Sequence, residues 1–276
     1  MALTGNEPLS VGNVAAALGV SISSGSTGNK PISAENLKTM MDVQAAERSK
    51  TARLEDMSWS QLKEISDATN ADNLDQMVEK YKHLMWQRKD VHVVYPNGSD
   101  FYAICACIDM GKDVDENGKP VLFTFAMIYE HNHAQYANGS YSGGWDKSTM
   151  RTNLNGVEAN YYKELTPYVT PVQKKNTPEF GSDTIDKYWI PSATEMCIPV
   201  NSGDYTDKVA LGKPYSWFEN YKARDPKNFD LYTNDNSVMT RSSYTKYSYI
   251  SISNRGASSY CEDYDVNYPS ILCFCV

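Results

Sequence analysis

The chain has 276 residues, 41% of them hydrophobic, and a formal net charge of −8. This length and apolar content suffice for one large domain, or for a small domain and a larger one. The negative charge argues against nucleic-acid binding by bulk electrostatic attraction. No apolar run approaches the length of a membrane span, and the first residues lack the features of a signal peptide. We therefore expect no nucleic-acid partner, no membrane insertion and no export through a signal peptide.

The first part of the chain, residues 1–88, is predicted to be mostly helical after a loop-like start. Ser33 can cap a helix that follows it, and Ser58 with Gln61 forms a capping-box pattern before another. Farther on, apolar residues recur at the spacing of an amphipathic helix: Leu74, Met77, Val78, Tyr81 and Leu84. We interpret residues 1–88 as an attachment or oligomerisation segment, and residues 89–276 as the main domain.

From Val91 the apolar period changes to two, which predicts β-strands. Two strand-like runs flank PNGSD, and Asn117-Gly118 predicts a hairpin turn before the apolar run VLFTFAMIYEH. Asp113 begins a string that resembles a calcium loop. Thr124 stands where that loop needs an acid, so a plain turn is the better interpretation.

The middle of the chain combines a short helix, a strand and a long polar stretch. Asp146 or Ser148 can cap a helix whose inward face holds Met150, Leu154 and Val157. Residues 188–190 read as a strand that ends in a turn at Pro191. The stretch 200–237 is polar and loop-like, and YSYISIS and SILCFCV near the end of the chain predict two strands.

The six cysteines and four histidines give weak signals for metal binding or catalysis. Two cysteine pairs have C-x-C spacing, which favours buried apolar side chains on a sheet over a zinc site. His131 and His133 could share a strand face, but no third ligand is visible. No histidine stands in a nucleophile motif. We expect no cofactor, no bound metal and no enzymatic activity.

The last 45 residues, 232–276, have the composition of a binding surface. They contain seven of the protein's twenty tyrosines and nine serines. Tyrosine offers large, rigid contact area at low entropic cost, and serine and asparagine offer adaptable hydrogen bonds, as in antibody paratopes.

Five sequence pieces occur in an order and at spacings that resemble a known domain. They are GGWDKSTMRTNLN (143–155), DKYWIPSATEM (186–196), MTRSS (239–243), YSYISISNRGASS (247–259) and YPSILCF (268–274). The resemblance covers about residues 90–276 and is to the target proteins of diversity-generating retroelements, whose domain is similar to C-type lectin-like folds. The start of the chain resembles prophage tail proteins. Asn267 and Tyr268 depart from the family's "GVRPAL" ending, so either these positions are diversified or the last strand is anchored differently.

This resemblance implies an α+β fold: a C-type lectin-like domain with mixed sheets, two short helices and long loops, after a mostly helical N-terminal segment. It implies a hypervariable protein of a phage tail fibre or tail tip, located in the virion. There it would bind a host-surface receptor, either protein or glycan, for host adhesion. Contacts with other tail proteins would run through the N-terminal segment, and a homotrimer suits a tail fibre.

The expected ligand-binding residues lie in the C-terminal segment. They are Tyr244, Lys246, Tyr247, Tyr249, Ser251, Ser253, Tyr260, Asp263, Tyr264, Asp265, Asn267 and Tyr268. Strand alternation would turn Ile250 and Ile252 to the core and Tyr249, Ser251 and Ser253 to solvent. Arg241 is expected in the scaffold, bonded to a buried carbonyl or carboxylate. Trp145, Trp189 and Phe274 are expected in the core.

Two other functions and one structural alternative stay open. The tyrosines could be half-buried packing residues of an ordinary sheet. The protein could be a carbohydrate-active hydrolase that uses Asp263 and Asp265, although nothing positions those acids for catalysis. It could also be a bacterial surface adhesin with the same domain, which a leader peptide or sorting signal would favour.

Overall fold

The computed structural model describes residues 52–128, 144–198, 200, 207–223, 238–245, 248–252, 258–262 and 270–276. The chain divides into two compact units, Met1–Ala52 and Arg53–Val276. The second unit is a mixed α/β structure of antiparallel sheets and few helices, all of them short. The helix expected after Ser33 lies outside the described residues.

Two helices precede the first strand and belong to the same unit as the sheet. Helix α1 spans Trp59–Asp67 and begins at the predicted capping box, in which the Ser58 and Gln61 side chains each accept a backbone N–H of the other residue. Helix α2 spans Leu74–Tyr81, and two 3₁₀ turns, Leu54–Asp56 and Lys82–Leu84, flank the pair.

The boundary expected at residues 88 and 89 therefore moves to residue 53. Leu62 of α1 is fully buried in the main core, and the Trp59 ring meets Phe125 and Phe274 edge-on at centroid distances of 5.5 and 5.9 Å. A helix whose apolar face packs on the sheet in this way is part of the domain and not a separate attachment segment.

Five strands form the main sheet, in the order β1-β2-β3-β10-β6. Their bounds are Arg88–Val94 for β1, Asp100–Met110 for β2, Phe123–Ile128 for β3, Tyr188–Trp189 for β6 and Leu272–Cys275 for β10. Each neighbouring pair is antiparallel. Strand β10, near the C-terminus, thus lies inside the sheet, between β3 and β6, and connects these two strands by hydrogen bonds.

The predicted turn at Asn117-Gly118 is confirmed between β2 and β3. Gly118 has a φ of 80°, and its N–H donates to the Asp115 carbonyl at 3.0 Å. The Asp115 carboxylate accepts the backbone N–H groups of Asn117 at 2.8 Å and Lys119 at 2.9 Å. These bonds make an Asx-type turn, which agrees with the expected turn and adds the side-chain bonds of Asp115 to it.

The middle of the chain adds a short helix and a small sheet. Helix α3 spans Thr149–Asn155, and the Ser148 hydroxyl caps it by accepting the Arg151 N–H at 3.1 Å. The helix ends at Asn155, so Val157 does not share its face as predicted and is 61% exposed. Strands β4 (Val172–Lys174) and β5 (Thr184–Asp186) form a two-stranded sheet.

The stretch 200–237 was expected to be loop, but it contains a helix. Helix α4 spans Ser216–Ala223. Its Ser216 N–H donates to the buried Asp109 carboxylate, and Trp217 and Phe218 are buried. This helix is stabilised by long-range packing of its aromatic rings on the core. The spacing of residues in the local sequence does not predict that packing.

The core lies between the main sheet and the elements that cover it. Trp145, Trp189 and Phe274 are fully buried, as predicted. Both C-x-C pairs are buried too, and their burial raises the pKa of each thiol. They are therefore inert apolar side chains. Among the described helices, none has the length and apolar character to cross a membrane.

Candidate functional site: the C-terminal sheet and its anchor

The Tyr- and Ser-rich C-terminal segment contributes a separate three-stranded antiparallel sheet, in the order β7-β8-β9. Strand β7 spans Val238–Thr245, β8 spans Ser248–Ile252 and β9 spans Ser258–Glu262. Strand β7 is at one edge of this sheet and packs against the rest of the domain, because every residue from Val238 to Ser243 is buried. We call β7, β8 and β9 the C-terminal sheet.

Four of the twelve expected contact residues lie on described strands: Tyr244 on β7, Tyr249 and Ser251 on β8, and Tyr260 on β9. The other eight lie outside the described residues: Lys246, Tyr247, Ser253, Asp263, Tyr264, Asp265, Asn267 and Tyr268.

The strand register assigns the described positions to two faces. Ile250 lies opposite Tyr260, whereas Tyr249 lies opposite Cys261 and Ser251 opposite Ser259. Directly opposed residues of an antiparallel pair share a face, so position 260 is on the face of Ile250 and positions 249 and 251 are on the other. Ile250 is 1% exposed, which confirms its predicted core orientation.

Strand β7 is anchored to the turn that follows β6. The Arg241 N–H donates to the Pro191 carbonyl at 3.1 Å, and the Ser242 hydroxyl accepts the Ala193 N–H at 2.8 Å. On its other side, the Thr240 hydroxyl donates to the Ile250 carbonyl at 2.6 Å. These bonds hold β7 both to the rest of the domain and to β8.

The Arg241 guanidinium makes the central contact of this anchor. It donates to both oxygens of the Glu195 carboxylate, through Nη1 to Oε2 and through Nη2 to Oε1 at 3.1 Å. It also donates to the Leu211 and Ile190 carbonyls. The predicted scaffold role of Arg241 is confirmed, and its bidentate geometry is the strong form of this contact.

Glu195 is itself the centre of a larger buried network. Its Oε1 accepts Lys174 Nζ at 3.3 Å, and its Oε2 accepts the Ser192 N–H at 3.0 Å. Lys174 also donates to the Asp113 carboxylate and to the Tyr215 hydroxyl, the latter at 2.9 Å. Its ammonium lies 3.7 Å from the centre of the Trp189 ring, a close cation–π contact.

We call Asp113, Lys174, Glu195, Tyr215 and Arg241 the buried network. All five are at most 7% exposed. Buried charges require partners, and here two cations alternate with two carboxylates. Through Arg241 on β7, the network joins the C-terminal sheet to the β2–β3 connection, to β4 and to the start of α4.

The electrostatics of the network favour the charged forms of Asp113, Lys174 and Arg241. Burial acts to raise the pKa of Asp113, but the Lys174 charge and hydrogen bonds from Lys174, Thr124 and Tyr215 lower it overall. Burial acts to lower the pKa of Lys174 and Arg241, yet the neighbouring carboxylates raise both. Burial raises the pKa of the Tyr215 hydroxyl, which stays a neutral donor.

Gly212 makes room for Glu195 beside Arg241. Its φ of +136° is rarely adopted by residues with side chains, and a Cβ there would lie 2.6 Å from Glu195 Oε1. The glycine therefore allows the backbone to approach closely enough for the Leu211 carbonyl to accept Arg241.

Sequence reasoning missed most of the buried network. Lys174 stands beside Lys175, and only the alternation of β4 turns the first inward and leaves the second exposed. The sequence around Asp113 resembles only the start of a calcium loop and does not indicate a buried ion pair. Glu195 carried the one available signal, because it is the acid of the IPSATEM motif.

The described residues offer no group of three or more His, Cys, Asp or Glu side chains arranged to hold a metal ion. His131 and His133 lie outside the described residues, as do the two acids of the alternative hydrolase.

Comparison with protein-family models, with curated proteins and with solved structures finds no match to the chain. The class defined by the described residues is therefore a mixed α/β domain. Its distinguishing feature is a small antiparallel sheet of Tyr- and Ser-rich sequence, fixed to the rest of the domain through buried ion pairs.

Proposed function

We propose that this protein is a receptor-binding module that displays residues 244–268 as a variable Tyr- and Ser-rich surface. The proposed setting is a phage tail fibre or tail tip, and the proposed fold is C-type lectin-like. The antiparallel sheets, short helices and long connections of the unit support that fold. The order of the five motifs named above supports the assignment to retroelement target proteins.

The observation that carries the proposal is the way in which β7 is anchored. Its bonds to the rest of the domain use Arg241, Ser242, the Glu195 carboxylate and backbone groups of residues 190–211, all outside the segment 244–268. The bond from Thr240 into that segment uses only the backbone carbonyl of Ile250. Substitutions in that segment would leave the anchor intact. A binding surface that must change its side chains without losing its fold requires this separation.

Binding would depend on aromatic anchors surrounded by polar contacts, without chemical conversion of the ligand. Modest affinity at one site would be multiplied by several copies on the particle, consistent with a trimer held through the N-terminal segment. The host-surface receptor can be a protein or a glycan, since tyrosine and serine suit both.

A binding assay on intact cells tests the receptor-binding role. We expect fluorescently labelled protein to bind a subset of the strains in a panel of bacteria. Replacing Tyr247, Tyr264 and Tyr268 together by alanine should abolish that binding with an unchanged melting temperature. Tyr102→Ala is the matched control, because Tyr102 is a strongly exposed tyrosine outside the C-terminal segment. Equal loss in both variants, or no binding by the parent protein, would count against the proposal.

The genome tests the diversification claim separately. We expect a near-copy of the 3′ end of the gene beside a reverse-transcriptase gene, with differences confined to adenine positions. Absence of both would leave a lectin-like binding domain without a diversifying element.

A further inference from the structure

A histidine lies between two carboxylates on the outer face of the main sheet, far in sequence from the C-terminal segment. His92 of β1 contacts Asp100 of β2 through Nε2 at 3.0 Å and Glu164 through Nδ1 at 3.0 Å. Its ring is stacked on the Tyr102 ring, with centroids 4.8 Å apart and planes 17° apart. The stack fixes the ring plane, so both nitrogens stay directed at their carboxylates.

The two contacts can both be hydrogen bonds in only one protonation state. A neutral imidazole has one N–H and one lone pair, whereas an imidazolium donates from both nitrogens. With a neutral ring, one carboxylate would face a lone pair and be repelled. The geometry therefore fits the doubly protonated ring.

The two carboxylates are held differently. Asp100 is part of the β1–β2 ladder, opposite Val94, and its short side chain has few rotamers. Glu164 belongs to the turn between the 3₁₀ helices Glu158–Tyr161 and Thr166–Tyr168, and its longer side chain is 68% exposed. Glu164 loses more freedom on binding, so it is the partner that a neutral ring would give up.

Other charged groups near His92 are few. Asp90 lies two residues away on β1, and Glu158, whose side chain is buried, belongs to the 3₁₀ helix that contacts β1. Lys163, beside Glu164, is exposed. The electrostatic influences on His92 come from Asp100 and Glu164.

We propose that His92 is a protonation switch: the imidazolium ties the segment around Glu164 to the β1–β2 hairpin, and the neutral ring releases it. The hydrogen bond to Asp100, then that to Glu164, raises the pKa of His92 above its ordinary value. Since the pKa is raised in the folded state, the stabilising contribution is complete below about 6.5, the usual histidine value. It is lost as pH rises through the folded value.

NMR titration of the full isotope-labelled chain tests the switch. The His92 ring signals should titrate with a midpoint above that of an ordinary histidine, and the backbone amides of Glu164 and Leu165 should shift with the same midpoint. Glu164→Gln should lower the His92 midpoint and remove the transition at the Leu165 amide. Asp100→Asn should lower the midpoint but keep that transition.

Asp183→Asn is the matched control, because Asp183 is an exposed acid paired with Lys175 elsewhere on the surface. It should leave the His92 midpoint unchanged, which separates a local effect from a change in net charge. A His92 midpoint that does not respond to Glu164→Gln overturns the proposal. So does a Leu165 amide that stays still while His92 titrates, since the pair would then be an ordinary surface contact without release.

Discussion

The strongest prediction concerns Arg241, whose replacement by methionine should destabilise the whole domain. The side chain is 1% exposed, and its removal deprives Glu195 of a bidentate partner and the Leu211 carbonyl of a donor. Breaking a buried ion pair on one side costs about 3–5 kcal/mol, because a buried charge loses its compensation. Glu195 keeps Lys174 and the Ser192 N–H, so we expect the lower part of that range.

Urea unfolding followed by circular dichroism measures this loss as a change in midpoint at constant slope. For a unit of this size, about 3 kcal/mol corresponds to a fall in melting temperature of roughly 6–12 °C. The double variant with Glu195→Gln should recover part of the loss, since the excess negative charge is then gone and Lys174 and Asp113 remain as a balanced pair.

Lys175→Met is the control, because Lys175 forms an exposed pair with Asp183 and such pairs contribute about 0–1 kcal/mol. If Arg241→Met costs no more than Lys175→Met, the buried network does not anchor the C-terminal sheet, and the anchoring of β7 gives no support for a variable surface.

Three more predictions follow from the core and the network. Gly212→Ala should lower the melting temperature, because its Cβ would clash with Glu195 Oε1, whereas Gly98→Ala, where a Cβ meets nothing within 4 Å, shares only the backbone strain. Leu62→Ala should lower the free energy of unfolding, measured in urea, by about 2–5 kcal/mol, because Leu62 is fully buried. A loss near zero would indicate that α1 is a separate segment and not part of the core. Asp113 has a lowered pKa, so its contribution is complete above about 3.9 and is lost as pH falls through the folded value. Asp113→Asn should therefore be less stable at pH 7 yet lose less stability between pH 5 and 3 in thermal melts, and an unchanged acid profile would contradict this.

Elements governed by neighbours in sequence were predictable. The capping boxes and turns, such as Ser58 with Gln61 and the turn at Asn117-Gly118, depend on hydrogen bonds within four residues. The two strands around PNGSD followed from alternation, although β1 begins at Arg88, before Val91 where the period changes, and β2 begins at Asp100 within PNGSD. The last turn of α3 was mispredicted because Val157 fits the helical period, but the chain leaves the helix at Gly156.

Elements governed by distant contacts were not predictable. Strand β9 has no apolar alternation of its own and exists through pairing with β8. The sequence of helix α4 predicts a loop, because it is polar apart from aromatic residues that pack on the core. In both cases the stabilising partner lies elsewhere in the chain. The periodicity of the local sequence therefore carries no information about that partner.

The sequence by itself determined the local structural features of this protein. These are its helix caps, its turns, the buried strand near its C-terminus and the scaffold role of Arg241. Only the tertiary structure decided that α1 belongs to the core and that Asp113, Lys174 and Glu195 meet beside Arg241 of the C-terminal sheet. The physical reason is that local bonds are specified by residues a few positions apart. A buried charge, in contrast, is tolerable only where the fold brings its counter-charges to it from distant segments.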